Sequence, residues 1–166
     1  MIQKKVCMLG GFGVGKTSLV ERFVYSRFTD EYISTMGLKI YRKRLSNNGT
    51  DVNMMVWDIY GEEDKRKVAT SYMKGASGAI LVADGTRPET LDTTTVLLGR
   101  LQDTLKVEIP WVLLINKHDL TDQWALSEAQ LKALSVAGRP MYTSSAKTGK
   151  NVETAFEQLA QMMVRV

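Results

Sequence analysis

A glycine-rich segment near the start of the chain constrains the fold more than any other feature. Residues 10–17 read Gly-Gly-Phe-Gly-Val-Gly-Lys-Thr, so two glycines five positions apart are followed by lysine and threonine. This is the pattern of a phosphate-binding loop, which follows a strand and begins a helix. The apolar run Val6–Leu9 precedes the segment, and apolar residues recur at helical spacing after it, namely at Leu19, Val20, Phe23 and Val24. The flanking sequence therefore favours a strand, a loop and a helix start over a plain glycine-rich turn.

Each residue type in this segment suits a nucleoside triphosphate. Glycines allow backbone N–H groups to close around phosphate oxygens. A lysine supplies positive charge at the β- and γ-phosphates, and a threonine hydroxyl can ligate Mg²⁺; we predict that Lys16 and Thr17 have these tasks. The residues predicted to bind the phosphates are Gly13, Val14, Gly15, Lys16, Thr17 and Ser18.

Short apolar runs define the predicted strands. Each run is too short for a helix and is continuous rather than alternating, as expected for a strand buried on both faces of a sheet. The runs are Val6–Leu9, Met54–Trp57, Ala79–Ala83 and Trp111–Ile115. Leu38–Leu45 adds a strand that Asn47-Asn48-Gly49 joins to the next one by a hairpin turn, and Met141–Thr143 adds a sixth strand.

Helices are predicted between and after these strands. One follows Pro88, a second covers Ser127–Val136 with a capping box formed by Ser127 and Gln130, and the last covers Asn151–Val166. We therefore predict an α/β fold of the P-loop NTPase class, with a six-stranded, mostly parallel mixed sheet and helices on both faces. In such folds the ligand binds at the carboxyl ends of the strands.

Composition narrows the class of protein further. A chain of 166 residues with 44% hydrophobic residues can bury its own core, and we predict a single domain over residues 1–166. The formal charge is +4, but basic residues interleave with acidic ones, so we predict no nucleic-acid partner. Because the single cysteine, Cys7, lies in an apolar run and no run approaches the roughly 20 residues of a membrane span, we expect a cytoplasmic protein.

A tetrapeptide after the fourth apolar run indicates which base is bound. Asn116-Lys117-His118-Asp119 directly follows the predicted strand Trp111–Ile115, about 100 residues after the phosphate-binding loop. The Asp119 carboxylate can accept hydrogen bonds from both the ring N–H and the exocyclic amine of guanine, whereas adenine offers no such pair of donors. Mismatches of this kind discriminate by roughly 10⁴-fold. We therefore predict that Asn116, Lys117 and Asp119 select a guanine nucleotide.

Two further positions suit the γ-phosphate and its cation. Asp58-Ile59-Tyr60-Gly61 follows a strand end, where Asp58 could hold a Mg²⁺-bound water and the Gly61 amide could approach the γ-phosphate. Thr35 lies in a predicted loop and could give Mg²⁺ a second hydroxyl. The residues predicted to ligate the metal are Thr17, Thr35 and Asp58.

The order and spacing of these motifs resemble the Ras-like small GTPase superfamily across essentially the whole chain. Ser34-Thr35-Met36-Gly37 and Trp57-Asp58 are most similar to its Rab branch. The resemblance implies a small GTPase domain that binds GTP or GDP with Mg²⁺, in which Phe28 flanks the guanine. It also implies that Ser145, Ala146 and Lys147 contact the base.

One departure from the family pattern concerns hydrolysis. The position that usually carries glutamine is Glu62, and an ionised carboxylate lacks the donor that helps orient the attacking water. We predict slow hydrolysis of GTP, although Glu62 could become protonated or point away from the site. The residues assigned to catalysis are Lys16, Thr35, Gly61 and Glu62. Phe12, bulky for this loop, could obstruct an arginine supplied by a partner.

The resemblance also implies regulated protein partners. We expect effectors and regulators to bind at Thr35–Lys43 and Gly61–Met73, and we expect a monomer. The sequence has no cysteine near Val166, so we expect no lipid anchor in this chain. The rival interpretations are a GTP-binding scaffold with little hydrolysis, and a P-loop kinase or ATPase, against which Asn116–Asp119 argues.

Overall fold

The computed structural model describes residues 1–26, 38–59, 68–135 and 139–165. These residues form strands and helices that alternate along the chain. The strands are β1 (Ile2–Gly10), β2 (Leu38–Asn47), β3 (Thr50–Ile59), β4 (Gly78–Asp84), β5 (Trp111–Asn116) and β6 (Met141–Thr143). The helices are α1 (Lys16–Tyr25), α2 (Val68–Met73), α3 (Thr90–Leu105), α4 (Glu128–Leu134) and α5 (Val152–Val164).

The strands form one six-stranded sheet in the order β2-β3-β1-β4-β5-β6. Only β2 runs antiparallel to its neighbour, and the other pairings are parallel. The prediction of a mostly parallel mixed sheet is therefore confirmed. The strand β2, with its basic residues, lies at an edge of the sheet, where lysine and arginine oppose pairing with another chain.

The hairpin between β2 and β3 forms at the predicted turn. Asn47 pairs with Thr50, so the loop consists of Asn48 and Gly49, which have φ angles of 48° and 82°. Positive φ at both loop positions is the requirement of the turn that matches the twist of a two-residue hairpin. The Asn-Gly pair explains why the register is set there.

Both faces of the sheet are covered, as the continuous apolar runs predict. In β1, Val6 and Met8 pack into the core on the side of α1 and α5, whereas Cys7 and Leu9 pack into the core on the side of α3. Burial raises the pKa of the Cys7 thiol to about 12, which makes it a poor nucleophile. Cys7 is therefore a core residue.

The predicted helices form, with shifted ends. Ser127 caps α4, since its side chain accepts from the Gln130 amide and the Gln130 side chain accepts from the Ser127 amide. The prediction of a helix to Val136 is too long, because α4 ends at Leu134 and the Leu131 carbonyl accepts from the Ser135 amide. The final helix is α5, and Asn151 lies before it with φ of 57°.

The apolar stripe of α5 faces the sheet. Its buried members lie in the same core as Val6 and Met8, and Phe156 stacks on Phe23 with ring centroids 4.0 Å apart. These members are Val152, Ala155, Phe156, Leu159, Ala160 and Met163. In the described part of the chain, no helix combines the length and apolar character needed to span a bilayer.

Candidate nucleotide-binding site

The predicted site residues that the structure describes converge at one edge of the sheet. The carboxyl end of β1 leads into the glycine-rich loop, and Asp58 and Asn116 lie near the ends of β3 and β5. Residues 144–147 follow β6. Because β1, β3, β4, β5 and β6 are parallel, their carboxyl ends meet at this edge, which is where ligands bind in such sheets.

The loop between β1 and α1 needs its glycines for two different reasons. Gly13 and Gly15 have φ angles of 71° and 98°, which residues with a side chain rarely adopt. A Cβ atom on Gly15 would also lie 2.3 Å from Asn116 Nδ2, and one on Gly10 would lie 2.5 Å from the Val82 carbonyl oxygen. The glycines therefore permit both the turn and the close approach of neighbouring strands.

Lys16 begins α1 and points back over the loop. Its side chain is buried, and Nζ donates to the carbonyl oxygens of Gly10 at 3.1 Å and Gly11 at 3.4 Å. Burial lowers the pKa of Lys16, and the nearby Asp58 carboxylate opposes that shift. The ammonium group is thus held at the loop by backbone oxygens.

Asp58 and Thr17 form the part of the site that suits a cation. Asp58 is 1% exposed, and its Oδ2 accepts from the Thr17 hydroxyl. Among the described residues, Asp58 Oδ1 has no hydrogen-bond partner. Burial raises the pKa of Asp58 despite the Thr17 hydrogen bond and the charge of Lys16. A buried carboxylate oxygen beside a hydroxyl is a donor set that fits Mg²⁺, which prefers oxygen ligands.

Asn116 joins the base-recognition segment to the phosphate-binding loop. Its Nδ2 donates to the Val14 carbonyl at 3.0 Å, and its Oδ1 accepts from the Ser144 hydroxyl at 3.3 Å. Lys117 follows with φ of 69°, and its Nζ lies 2.9 Å from Asp84 Oδ2. Both residues therefore link the end of β5 to the loop after β1, the end of β4 and the loop after β6.

Asp119 lies against the loop after β6. Its Oδ1 accepts from the Ser145 hydroxyl at 2.7 Å, and Ser145 Oγ in turn accepts from the Thr148 amide at 3.1 Å. Ala146 is buried, whereas the Lys147 side chain is exposed. The structure thus brings together the two segments predicted to contact guanine.

His118 occupies the remaining position of the base-recognition segment. Its Nδ1 lies 2.9 Å from Lys150 Nζ, and its ring makes an edge contact with Trp124 at 4.7 Å between centroids. Burial and the charge of Lys150 lower the pKa of His118. These contacts give the histidine a packing role.

Several predicted residues lie outside the described part of the chain. They are Phe28, Thr35, Gly61 and Glu62. The predicted partner regions, Thr35–Lys43 and Gly61–Met73, are described only from Leu38 and from Val68 onward. Ser18 is described and lies half-buried in the first turn of α1.

Sequence reasoning missed residues that support the site from outside the motifs. Asp84 ends β4 and binds Lys117, Arg87 donates to the Phe12 carbonyl at 2.8 Å, and Arg22 donates to the Lys147 carbonyl at 3.1 Å. The Trp124 ring covers Gly85 so closely that a Cβ there would lie 2.0 Å from it. Of these residues, only Asp84 could have been found from the sequence, because an acidic residue directly follows the apolar run of its strand.

The chain is similar to known proteins over nearly its whole length. A family model described as "Ras family" matches residues 5–165. The chain is 32% identical to Ras-related protein Rab-1D of Dictyostelium discoideum, over 95% of this chain and 78% of that protein. It is 33% identical to Ras-related protein RABD2b of Arabidopsis thaliana, over 92% and 76% of the two chains, and 31% identical to human Ras-related protein Rab-8B, over 95% and 76%.

These similarities agree with the site and argue against a P-loop kinase. The family match spans the glycine-rich loop, Asp58 and the base-recognition segment, so one relationship accounts for every motif that the structure brings together. Small GTPases of this family bind GTP and GDP with Mg²⁺. The chain belongs to the Ras family, and it is a Rab-like small GTPase switch that binds and hydrolyses GTP.

Proposed function

We propose that the loop between β1 and α1 binds the phosphates, and that the loops after β5 and β6 bind guanine. The observation that carries this proposal is the hydrogen bond from Asn116 Nδ2 to the Val14 carbonyl, which joins the end of β5 to the loop between β1 and α1. The sugar limits how far the base can lie from the phosphates, so a site that binds both ends is favoured when its loops are held at a matching distance. Preorganisation of this kind reduces the cost of ordering loops on binding.

On the phosphate side, we propose roles for residues 13–18. The N–H groups of Gly13, Val14 and Gly15 face phosphate oxygens, together with those of Lys16, Thr17 and Ser18. The Lys16 ammonium neutralises charge at the β- and γ-phosphates, and it is already positioned by the Gly10 and Gly11 carbonyls. Thr17 and Asp58 would hold Mg²⁺, which would neutralise charge on the phosphates when bound.

On the base side, the Asp119 carboxylate accepts from the two N–H groups on the guanine edge. The Ser145 hydroxyl holds this carboxylate in place through its 2.7 Å hydrogen bond. Ala146 and Lys147 lie in the same loop, and Phe28 flanks the ring. Adenine lacks the paired donors and would leave the carboxylate unmatched, so the site prefers GTP and GDP.

Switching in this proposal depends on Thr35 and Gly61. Thr35 would add a hydroxyl ligand to Mg²⁺, and the Gly61 amide would bind the γ-phosphate. Both contacts need the γ-phosphate, so both segments relax when GTP becomes GDP. Partners that prefer one arrangement over the other read this change as a difference in affinity.

Hydrolysis is proposed to be slow because of Glu62. At about 4 Å and an effective dielectric constant of 20, two like unit charges repel by about 4 kcal/mol. If the repulsion between Glu62 and the triphosphate acts only in the transition state, it corresponds to about a thousandfold in rate. An ionised carboxylate also lacks the hydrogen-bond donor of an amide.

We expect the Glu62→Gln variant to hydrolyse GTP at least about tenfold faster than the wild type, with about a thousandfold as the upper bound from this repulsion. The measurement is single-turnover hydrolysis with GTP and Mg²⁺ preloaded. Glu63→Gln removes the adjacent acid and serves as the matched control, with little expected change. An unchanged rate in Glu62→Gln would contradict the role of Glu62. If neither protein hydrolyses GTP, the scaffold interpretation is favoured.

Partner binding is proposed at β2. This edge strand has the exposed basic residues Lys39, Arg42 and Arg44, and it follows the segment that contains Thr35. We expect an acidic effector to bind the form loaded with a GTP analogue better than the GDP form, and Arg42→Glu to reduce recovery of that effector. Pull-downs from cell extract with both forms test this. Equal recovery with the two nucleotides would refute the proposal.

A further inference from the structure

The backbone of Arg87 is fixed by its neighbours in the loop between β4 and α3. Its amide donates to the Asp84 carbonyl at 2.9 Å. Its own carbonyl accepts from the Thr90 amide at 3.0 Å and from the Thr90 hydroxyl at 2.7 Å. Pro88 follows and restricts the chain further. The backbone of Arg87 is therefore held in one position. Less entropy is lost when its guanidinium makes contacts.

The guanidinium of Arg87 spans two elements of the site. Its Nε donates to Asp84 Oδ2 at 3.0 Å, and its Nη2 donates to the carbonyl oxygen of Phe12 at 2.8 Å. The same Nη2 would lie 3.4 Å from a Cβ atom on Gly13. The planar guanidinium can make both contacts at once because its donors are held in a rigid fork. Arg87 thus braces the backbone of the phosphate-binding loop from outside.

The hydrogen bond from Arg87 to the Phe12 carbonyl fixes the orientation of a whole peptide unit. The Phe12 C=O and the Gly13 N–H belong to the same planar trans peptide unit, so they point to opposite sides of it. A hydrogen bond that holds the Phe12 oxygen toward Arg87 therefore holds the Gly13 N–H toward the other side of the loop. Gly13 has φ of 71° and no side chain to restrict it. Without the brace, this peptide unit can rotate more freely.

We propose that Arg87 is a positioning residue for the phosphate side of the nucleotide, acting through the Phe12–Gly13 peptide. This inference rests on the proposed role of residues 13–18 in phosphate binding. It goes beyond that role because Arg87 lies outside every nucleotide-binding motif and contacts the loop through the backbone carbonyl of Phe12.

The loops proposed to bind guanine are expected to keep their geometry when Arg87 is replaced. The Asp84 carboxylate also accepts from the Thr86 amide at 2.9 Å and the Thr86 hydroxyl at 2.7 Å, and Lys117 Nζ lies 2.9 Å away. Burial alone would raise the pKa of Asp84, but these hydrogen bonds and that of Arg87 outweigh it and lower the pKa. Asp84 keeps three hydrogen-bond donors besides Arg87, so we expect it to hold Lys117 in place when Arg87 is replaced.

The test compares nucleotides that differ only in their phosphates. For Arg87→Ala we expect the affinity for GDP to fall about tenfold, in keeping with one lost hydrogen bond from a charged donor. The affinity for GMP, which has no β-phosphate, should change less than about threefold by the same measure. Equilibrium competition against a fluorescent guanine nucleotide measures both affinities on the intact chain. A merely structural role would weaken the two nucleotides equally.

Two variants sharpen the comparison. Arg87→Lys keeps the positive charge but has no planar fork to bridge Asp84 and Phe12, so we expect a loss of GDP affinity close to that of Arg87→Ala. It also provides a second test if the alanine variant fails to fold. Arg139→Ala removes an exposed arginine that lies over the Trp111 ring at the start of β5, the opposite end of that strand from the site, and should leave both affinities unchanged.

Three results would overturn the proposal: no loss of GDP affinity, an equal loss for GMP and GDP, or full rescue by lysine. The last would mean that Arg87 acts as a charge rather than as a brace. Failure of the underlying site assignment is distinguishable, because Lys16→Met would then leave GDP affinity unchanged in the same assay, whatever Arg87 does.

Discussion

The Asp119→Asn variant is expected to bind GDP roughly 10⁴-fold more weakly than the wild type, the scale of discrimination when a site built for a hydrogen-bonding substrate loses its match. An amide replaces a carboxylate that Ser145 holds at 2.7 Å. The ring N–H and the exocyclic amine of guanine then face an amide group that offers donors of its own. Isothermal titration or nucleotide competition measures the loss. Preference for guanine over adenine nucleotides should fall with it.

Asp122→Asn is the matched control for this experiment. Asp122 lies three residues further along and is exposed, so the same chemical change there should leave the affinity within about twofold of the wild type. A decrease of less than tenfold in the GDP affinity of Asp119→Asn would contradict the proposed recognition of guanine by Asp119. Tight binding of ATP by the wild-type protein would contradict it more directly.

The Lys16→Met variant is expected to lose about a thousandfold in affinity for GDP and GTP. A unit charge about 4 Å from a phosphate at an effective dielectric constant of 20 contributes about 4 kcal/mol, which corresponds to that factor. Methionine keeps an unbranched, flexible side chain but has neither charge nor donors. It also leaves the Gly10 and Gly11 carbonyls without the Lys16 hydrogen bonds that they accept at 3.1 and 3.4 Å. Fluorescent nucleotide titration measures the effect.

Lys5→Met is the control for loss of a lysine that binds a backbone oxygen. Lys5 Nζ donates to the Lys74 carbonyl at 2.7 Å and lies over the Trp57 ring, away from the loop between β1 and α1. Its loss should leave nucleotide affinity nearly unchanged. If Lys16→Met binds GDP within tenfold of the wild type, Lys16 does not have the proposed role at the phosphates.

Local patterns were enough to predict the sheet and the edge at which the described motif residues meet. Apolar runs predicted the strands because a parallel strand buried on both faces needs apolar residues at successive positions. The Asn48-Gly49 turn and the Ser127 cap formed as predicted, since both depend on residues within four positions of each other. The end of α4 was predicted less well, because Val136 is apolar but the helix stops at Leu134.

The supporting contacts around the site could not be predicted in this way. Arg87 and Phe12 are 75 positions apart, and Asn116 and Val14 are 102 positions apart. Nothing in the sequence near Arg87 distinguishes an arginine that binds a loop carbonyl from one that faces solvent. The Trp124 ring over Gly85 likewise depends on how the loop after β5 folds back onto the end of β4.

The sequence by itself determined which polar groups stand at the ends of the strands: a flexible glycine loop with a lysine, a threonine, and a carboxylate after a buried strand. Those properties are local, because they follow from residue type, backbone freedom and the spacing of apolar residues. The tertiary structure alone decided how these groups are held, through the contacts of Asn116, Asp84 and Arg87 between loops from different strands. The physical reason is that such contacts depend on strand order and on the directions of side chains at the sheet edge, which no short stretch of sequence specifies.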